Sequence, residues 1–178
     1  CAIAQIEIDF EDGSRRVIVS DTTWRVSPSP IWDDDPIHGE RYDARREQPG
    51  WDSPGFVDAA WAPATPVDGP AGALRCPPIE PIRVVTTLAP VAVHERSGGG
   101  RIFDFGQHVS GWTRITVSGP AGAEVVVRHA GELHDDGSLD DRANMASHSN
   151  ARQTNVYVLG ADGRAAWEPR FTLHGFRY

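Results

Sequence analysis

The chain has 178 residues, 39% hydrophobic and 24% charged, with a formal net charge of -8. That length allows one large or two small domains, each with a core of its own, and the composition is ordinary for a globular protein. The negative charge argues against nucleic acid or an anionic membrane surface as partner, and no apolar run approaches the ~20 residues of a membrane-spanning helix.

The first stretch, AIAQIEIDFEDGSRRVIV, holds two β-rich runs around Asp12-Gly13 and predicts a hairpin. Residues 27–81 are rich in Pro, Gly and Asp, with tryptophans at 32, 51 and 61, and predict long irregular connections with short strands. Prolines 77, 78 and 81 mark a domain boundary between two strand-rich regions. Beyond them the pattern becomes regular. Strands are expected at 82–88, 91–95, 101–105, 112–118, 124–129, 155–159 and 167–178, with turns at Asp136-Gly137 and a further hairpin at Asp162-Gly163. Helical periodicity is nearly absent, with at most a short helical turn in 139–149. The chain should be all-β, built from two antiparallel sandwich-type units. Cys1 and Cys76 are too few for a disulfide framework.

The polar stretch GERYDARREQPGW, residues 39–51, fits neither an amphipathic helix nor an alternating strand. Glu40, Asp43 and Arg45 with Tyr42 and Trp51 have the composition of a sugar site, in which planar polar groups bond hydroxyls and a ring packs on the sugar face. The competing reading is structural: Arg45 pairs with Glu40 or Asp43 among apolar neighbours such as Trp51 and Phe56, and the pair pins the loop. The residues favour the second reading. All 17 basic residues are arginine, which suits such pairs. Asp33, Asp34 and Asp35 could offer oxygen ligands to Ca2+, but three consecutive aspartates converge on one ion only if the backbone bends. HDDGSLDD lacks the acid spacing of a calcium loop, and the seven histidines show no zinc spacing. His174 is expected to pack inside a sandwich or at a domain contact. The glycines of FDFGQHVSGW are expected to form a bend, since no phosphate-loop pattern follows them.

The motifs SDTTWRVSPSPIW, GERYDARREQPGW, AAWAPA, CPPIEPIRV, DFGQHVSGWTRITVSGPAGAEVVVRHAGEL, DGSL, NVYVLGADG and WEPRFTLHGFRY occur in this order. Together they resemble the non-catalytic β modules that precede the catalytic domain of bacterial α-L-rhamnosidases, glycoside hydrolase family 78. The resemblance implies that residues 1–80 are the C-terminal part of a galactose-binding-like jelly roll, which in this family can bind rhamnose with calcium. It implies that residues 81–178 are a second antiparallel β-sandwich that packs on an (α/α)6 catalytic barrel. The barrel carries two carboxylates of an inverting mechanism, about 6.5–9.5 Å apart. None of that barrel lies in these residues, so no catalytic residue is expected here. The implied partner is carbohydrate, as L-rhamnose-containing glycosides met through the parent enzyme. A stand-alone carbohydrate-binding module and a structural spacer are the alternatives.

Overall fold

A computed structural model describes residues 2–69, 71–73, 75–96, 99–140, 142 and 151–178. In chain order the strands are β1 (Gln5–Asp9), β2 (Arg15–Val19), β3 (Arg25–Val26), β4 (Ile31–Asp35) and β5 (Gly39–Asp43). They continue with β6 (Ala62–Pro63), β7 (Ala92–Glu95), β8 (Arg101–Asp104), β9 (Val109–Gly111) and β10 (Ile115–Gly119). The last are β11 (Glu124–Arg128), β12 (Glu132–Leu133), β13 (Leu139–Asp140), β14 (Thr154–Val158), β15 (Gly163–Trp167) and β16 (His174–Phe176). A 3-10 turn at Ala44–Arg46 follows β5. The architecture is all-β, as its alternation and turn residues predict. No helix among the described residues is long and apolar enough to cross a membrane.

The chain forms two compact units, Cys1–Pro28 with Gln48–Pro81, and Ser29–Glu47 with Ile82–Tyr178. In the first, β1 and β2 make the expected hairpin, pairing Ile6 with Ile18 and Glu7 with Val17. Asp12 closes its turn, accepting from the Ser14 backbone N–H at 2.9 Å and the Ser14 hydroxyl at 2.6 Å. Gly13 takes the left-handed φ of 82° that this turn needs. β3 pairs with β6, and Trp61 donates its indole N–H to Gln48 at 2.7 Å.

The second unit is built on a four-stranded sheet, β11-β14-β5-β4, facing the pair β10-β15. Tyr157, Leu159 and Trp167 form the buried centre between them, and Tyr42, Ile115, Val117, Val125 and Ala165 pack against it. Burying each large apolar side chain contributes about 1.5–3 kcal/mol, so this contact accounts for much of the unit's cohesion. The inward residues of β10 and β11 follow period two, with Ile115, Val117 and Val125 inside and Thr116 and Val126 outside. β7 pairs with β8, β9 with β16, and β12 with β13.

Several expectations change. GERYD is not irregular: it is β5, paired in parallel with β14 through Arg41–Val156, Tyr42–Tyr157 and Asp43–Val158. A strand with polar residues on its buried side defeats a reading based on hydrophobic alternation alone. Asp162-Gly163 is not a hairpin turn, because β14 pairs with β11 and β15 with β10; the chain crosses there from one sheet to the other. Residues 82–88 form no strand, and Val85 is 95% exposed. Their β-branched run has prolines at 81 and 90 on its flanks and finds no ladder to join. Leu139–Asp140 of the expected helical turn are strand β13, while 141 and 143–150 lie outside the described residues, as does Cys1.

Two glycines make the joining of β5 and β14 possible. A Cβ on Gly39, whose φ is 123°, would meet the Thr154 carbonyl oxygen at 2.0 Å, and one on Gly160 would meet the Ala44 carbonyl oxygen at 2.7 Å. The backbones approach too closely there for any side chain.

Candidate functional site

β5 sends alternate side chains to opposite faces, so Glu40 and Tyr42 share the face that meets Trp167, while Arg41 and Asp43 take the other. Glu40 is 2% exposed. Its backbone N–H donates to Asn155 Oδ1 at 2.9 Å. Its Oε2 accepts the backbone N–H groups of Arg170 at 2.9 Å and Phe171 at 3.1 Å, holding the segment that leads into β16. Its Oε1 is buried with no hydrogen-bond partner.

Above Glu40 lies an open cleft of about 320 Å³, lined also by Tyr42, Glu47, Arg114, Tyr157, Ala166, Trp167, Glu168 and Arg170. The Tyr42 hydroxyl donates to Glu47 Oε1 at 2.8 Å, and burial, followed by this carboxylate, pushes the Tyr42 pKa well up. Tyr42, Tyr157 and Trp167 stack beneath, with ring centroids 5.3–6.1 Å apart. On the other wall Arg114 donates to both oxygens of Glu168 at 3.2 Å, and Trp112 donates its indole N–H at 3.3 Å. The Arg114 guanidinium lowers the Glu168 pKa.

Asp43 faces away from this cleft. Arg45 grips it with two side-chain bonds, Nε at 2.9 Å and a terminal nitrogen at 2.8 Å, and a backbone N–H at 3.1 Å. The guanidinium lowers the Asp43 pKa. The expected Arg45–carboxylate pair is therefore present, with Asp43 as partner. The expected apolar setting is not: the Arg45 side chain is 53% exposed. Trp51 is itself 62% exposed. The indole beside the arginines is Trp32, whose ring lies 5.4 Å from the Arg41 guanidinium and 5.8 Å from that of Arg46.

Asp33, Asp34 and Asp35 lie on β4, the edge of the four-stranded sheet, where consecutive side chains point to opposite faces. Asp35 is occupied in the turn to β5, its Oδ1 accepting from the backbone N–H groups of Ile37 at 2.9 Å and His38 at 2.8 Å. Charge on a short edge strand also discourages pairing with another chain. Among the described residues no group of three His, Cys, Asp or Glu side chains is placed to hold a metal ion.

A second buried polar cluster surrounds His174, which is 1% exposed, as expected for a packed histidine. Its Nε2 lies 3.1 Å from Thr172 Oγ1 and 3.3 Å from Asn155 Oδ1. Asn155 Oδ1 is an acceptor and the Thr172 hydroxyl donates to the Pro36 carbonyl, so Nε2 carries the proton. Nδ1 is then a bare, buried lone pair. The His129 ring lies 4.6 Å away, with Nδ1 2.9 Å from the Gln153 carbonyl and Nε2 3.2 Å from Thr113 Oγ1. Burial lowers the pKa of both rings, that of His174 to about 4, where His129 adds to the effect.

Sequence reasoning reached Glu40 and Tyr42 of the cleft but missed Glu47, Arg114, Trp167, Glu168 and Arg170. Glu47 was within the same polar stretch. The others sit more than sixty residues downstream, and only the β5–β14 and β10–β15 ladders bring them together.

These features define an all-β sandwich module, carrying a mixed-charge aromatic cleft and joined to a second β-rich unit. Residues 1–86 match the α-L-rhamnosidase N-terminal domain family, and residues 94–178 match the bacterial α-L-rhamnosidase concanavalin-like domain family. An α-L-rhamnosidase of Streptomyces avermitilis is 40% identical over 177 residues, covering 99% of this chain and 17% of that protein. Among solved structures, an α-L-rhamnosidase from Dictyoglumus thermophilum superposes with a TM-score of 0.91 at 38% identity, over 98% of this chain and 19% of that one. The Streptomyces avermitilis α-L-rhamnosidase complexed with L-rhamnose gives 0.89 at 39% identity, over 98% and 17%. The chain belongs to the bacterial α-L-rhamnosidase family and corresponds to its N-terminal and concanavalin-like domains. It spans less than a fifth of the length of these relatives.

Proposed function

We propose that this chain is the accessory β part of an enzyme that hydrolyses terminal α-L-rhamnose from glycosides with inversion, and that it performs no catalysis itself. One observation carries the reading: two accessory-domain families take up nearly all of its length, while it spans less than a fifth of the relatives. In this reading residues 1–80 are the C-terminal part of a galactose-binding-like domain, and residues 81–178 are the sandwich that packs on the catalytic barrel. Residues 29–47 would then belong to the first module by chain order and to the second unit in space. The purified 178-residue chain should release no rhamnose from an aryl α-L-rhamnoside, whereas the same chain extended through the parent's following domain should. Turnover that follows the protein peak of the short chain through repeated purification would overturn this assignment.

A further inference from the structure

The dipeptide Asp-Gly occurs four times, beginning at residues 12, 68, 136 and 162. In this pair an aspartyl side chain closes most readily on the next backbone nitrogen, because glycine has no side chain to hinder the approach. From the contrast between the four we propose that Asp68-Gly69 is a modification site, at which the folded chain converts aspartate to isoaspartate, while the other three are protected by the fold.

At Asp12-Gly13 both partners are held. Asp12 Oδ1 accepts from the Ser14 N–H at 2.9 Å and the Ser14 hydroxyl at 2.6 Å, and the Gly13 N–H donates to the Phe10 carbonyl at 3.0 Å. Asp136-Gly137 repeats the pattern: Asp136 Oδ1 accepts from the Ser138 N–H at 2.9 Å and hydroxyl at 2.7 Å, and the Gly137 N–H donates to the His134 carbonyl at 2.8 Å. At Asp162-Gly163, Asp162 Oδ1 accepts the Ala121 N–H at 2.7 Å, and Gly163 is fixed in the β10–β15 ladder opposite Gly119. Asp68 and Gly69 differ from all of these. Both are exposed and outside any strand or turn, and neither makes a hydrogen bond or ion pair among the described residues. Nothing lies within 4 Å of where a Cβ on Gly69 would stand.

The reaction needs what only this pair offers. The Gly69 nitrogen attacks Cγ of the protonated Asp68 side chain. The N–Cγ bond forms, and the amide hydrogen leaves with the carboxyl hydroxyl as one water, giving a succinimide. Water then adds back at either carbonyl. Breaking the bond from nitrogen to Cγ restores aspartate. Breaking the bond from nitrogen to the former main-chain carbonyl gives isoaspartate, with no net change in mass. The backbone must rotate to bring nitrogen and Cγ together, so each turn bond that resists rotation adds to the barrier. Ser14 and Ser138 also lower the pKa of Asp12 and Asp136, which makes the neutral acid that cyclises scarcer there.

Isoaspartate at 68 lengthens the main chain by one carbon and leaves an exposed α-carboxyl as its side group. That carboxyl is the chemistry an isoaspartyl methyltransferase accepts. Since no ladder runs through this position, the first unit tolerates the change. The inference goes beyond the accessory role proposed above and stands or falls separately from it.

The test is prolonged incubation of the 178-residue chain near pH 6, folded and in denaturing urea. Peptide mapping by electron-transfer fragmentation then locates isoaspartate, and methyl transfer from S-adenosylmethionine by a purified isoaspartyl methyltransferase measures it. Asp68 should isomerise about as fast folded as in urea, whereas folding should slow Asp12, Asp136 and Asp162 by at least about tenfold each. Asp68→Glu should remove methyl acceptance from the folded chain and leave the melting temperature unchanged. A tenfold slowing of Asp68 by folding overturns the inference. So does isomerisation at any other Asp-Gly that is as fast folded as unfolded, or methyl acceptance that survives Asp68→Glu.

Discussion

The buried histidines make the second unit sensitive to mild acid. His174 has a folded-state pKa of about 4, against an ordinary value near 6.5. Between these values the unfolded chain binds a proton that the folded chain refuses. Stability is therefore fully present above about pH 6.5 and is lost as pH falls towards 4. A full shift of that size corresponds to about 3 kcal/mol at 1.36 kcal/mol per pKa unit, and the part of the window crossed between pH 7 and pH 5 accounts for about 2 kcal/mol of it, the rest being lost below pH 5. His129 acts in the same direction. The paired carboxylates titrate lower: Arg177 holds Asp104 at about 2, and its contribution is lost only as pH falls from near 3.8 towards that value. The two windows are thus separable. Urea unfolding of the second unit should show a falling midpoint at constant m between pH 7 and pH 5, and the His174 Cε1 proton resonance should not titrate above pH 5. His174→Gln should lower stability at pH 7 and flatten the slope from 7 to 5. A midpoint unchanged over that range, or a resonance titrating near pH 6.5, would show that the imidazole reaches water and would refute the reasoning.

Arg45→Ala should cost little, because the arginine is half exposed and Asp43 keeps a backbone N–H donor; scanning calorimetry should show a drop of no more than about 4 °C. A loss several times larger would mean the pair is shielded from solvent. Gly39→Ala should destabilise the second unit by about 3 kcal/mol or more, since its Cβ would overlap the Thr154 carbonyl, as seen by urea unfolding. Gly13→Ala, with the same sign of φ but open space around it, should cost about 1 kcal/mol and leave the second unit unaffected. Equal effects from the two glycines would argue against the close approach of β5 and β14.

The sequence alone carried the all-β class, because period-two alternation and Asp-Gly turns act over a few residues. It carried the β1–β2 hairpin, the Asp136-Gly137 turn and the pairing of Arg45 with a nearby carboxylate for the same reason: every partner lies within about fifteen residues. It also carried the family, through motifs spread along the whole chain. Which strand pairs with which is a different matter. The run at 82–88 has as much β character as 124–128, yet only the latter finds a partner, and a partner is a property of the fold and not of the segment. Nothing local in GERYD reveals a strand parallel to one more than a hundred residues later, since its buried face carries a glutamate whose bonds run to Asn155, Arg170 and Phe171. Burial of a charged side chain is tolerated only where distant donors meet it, and those donors are assembled by the sheet. For that reason the sequence pointed to Glu40 and Tyr42, while the tertiary structure decided that Glu47, Arg170 and Trp167 share their cleft.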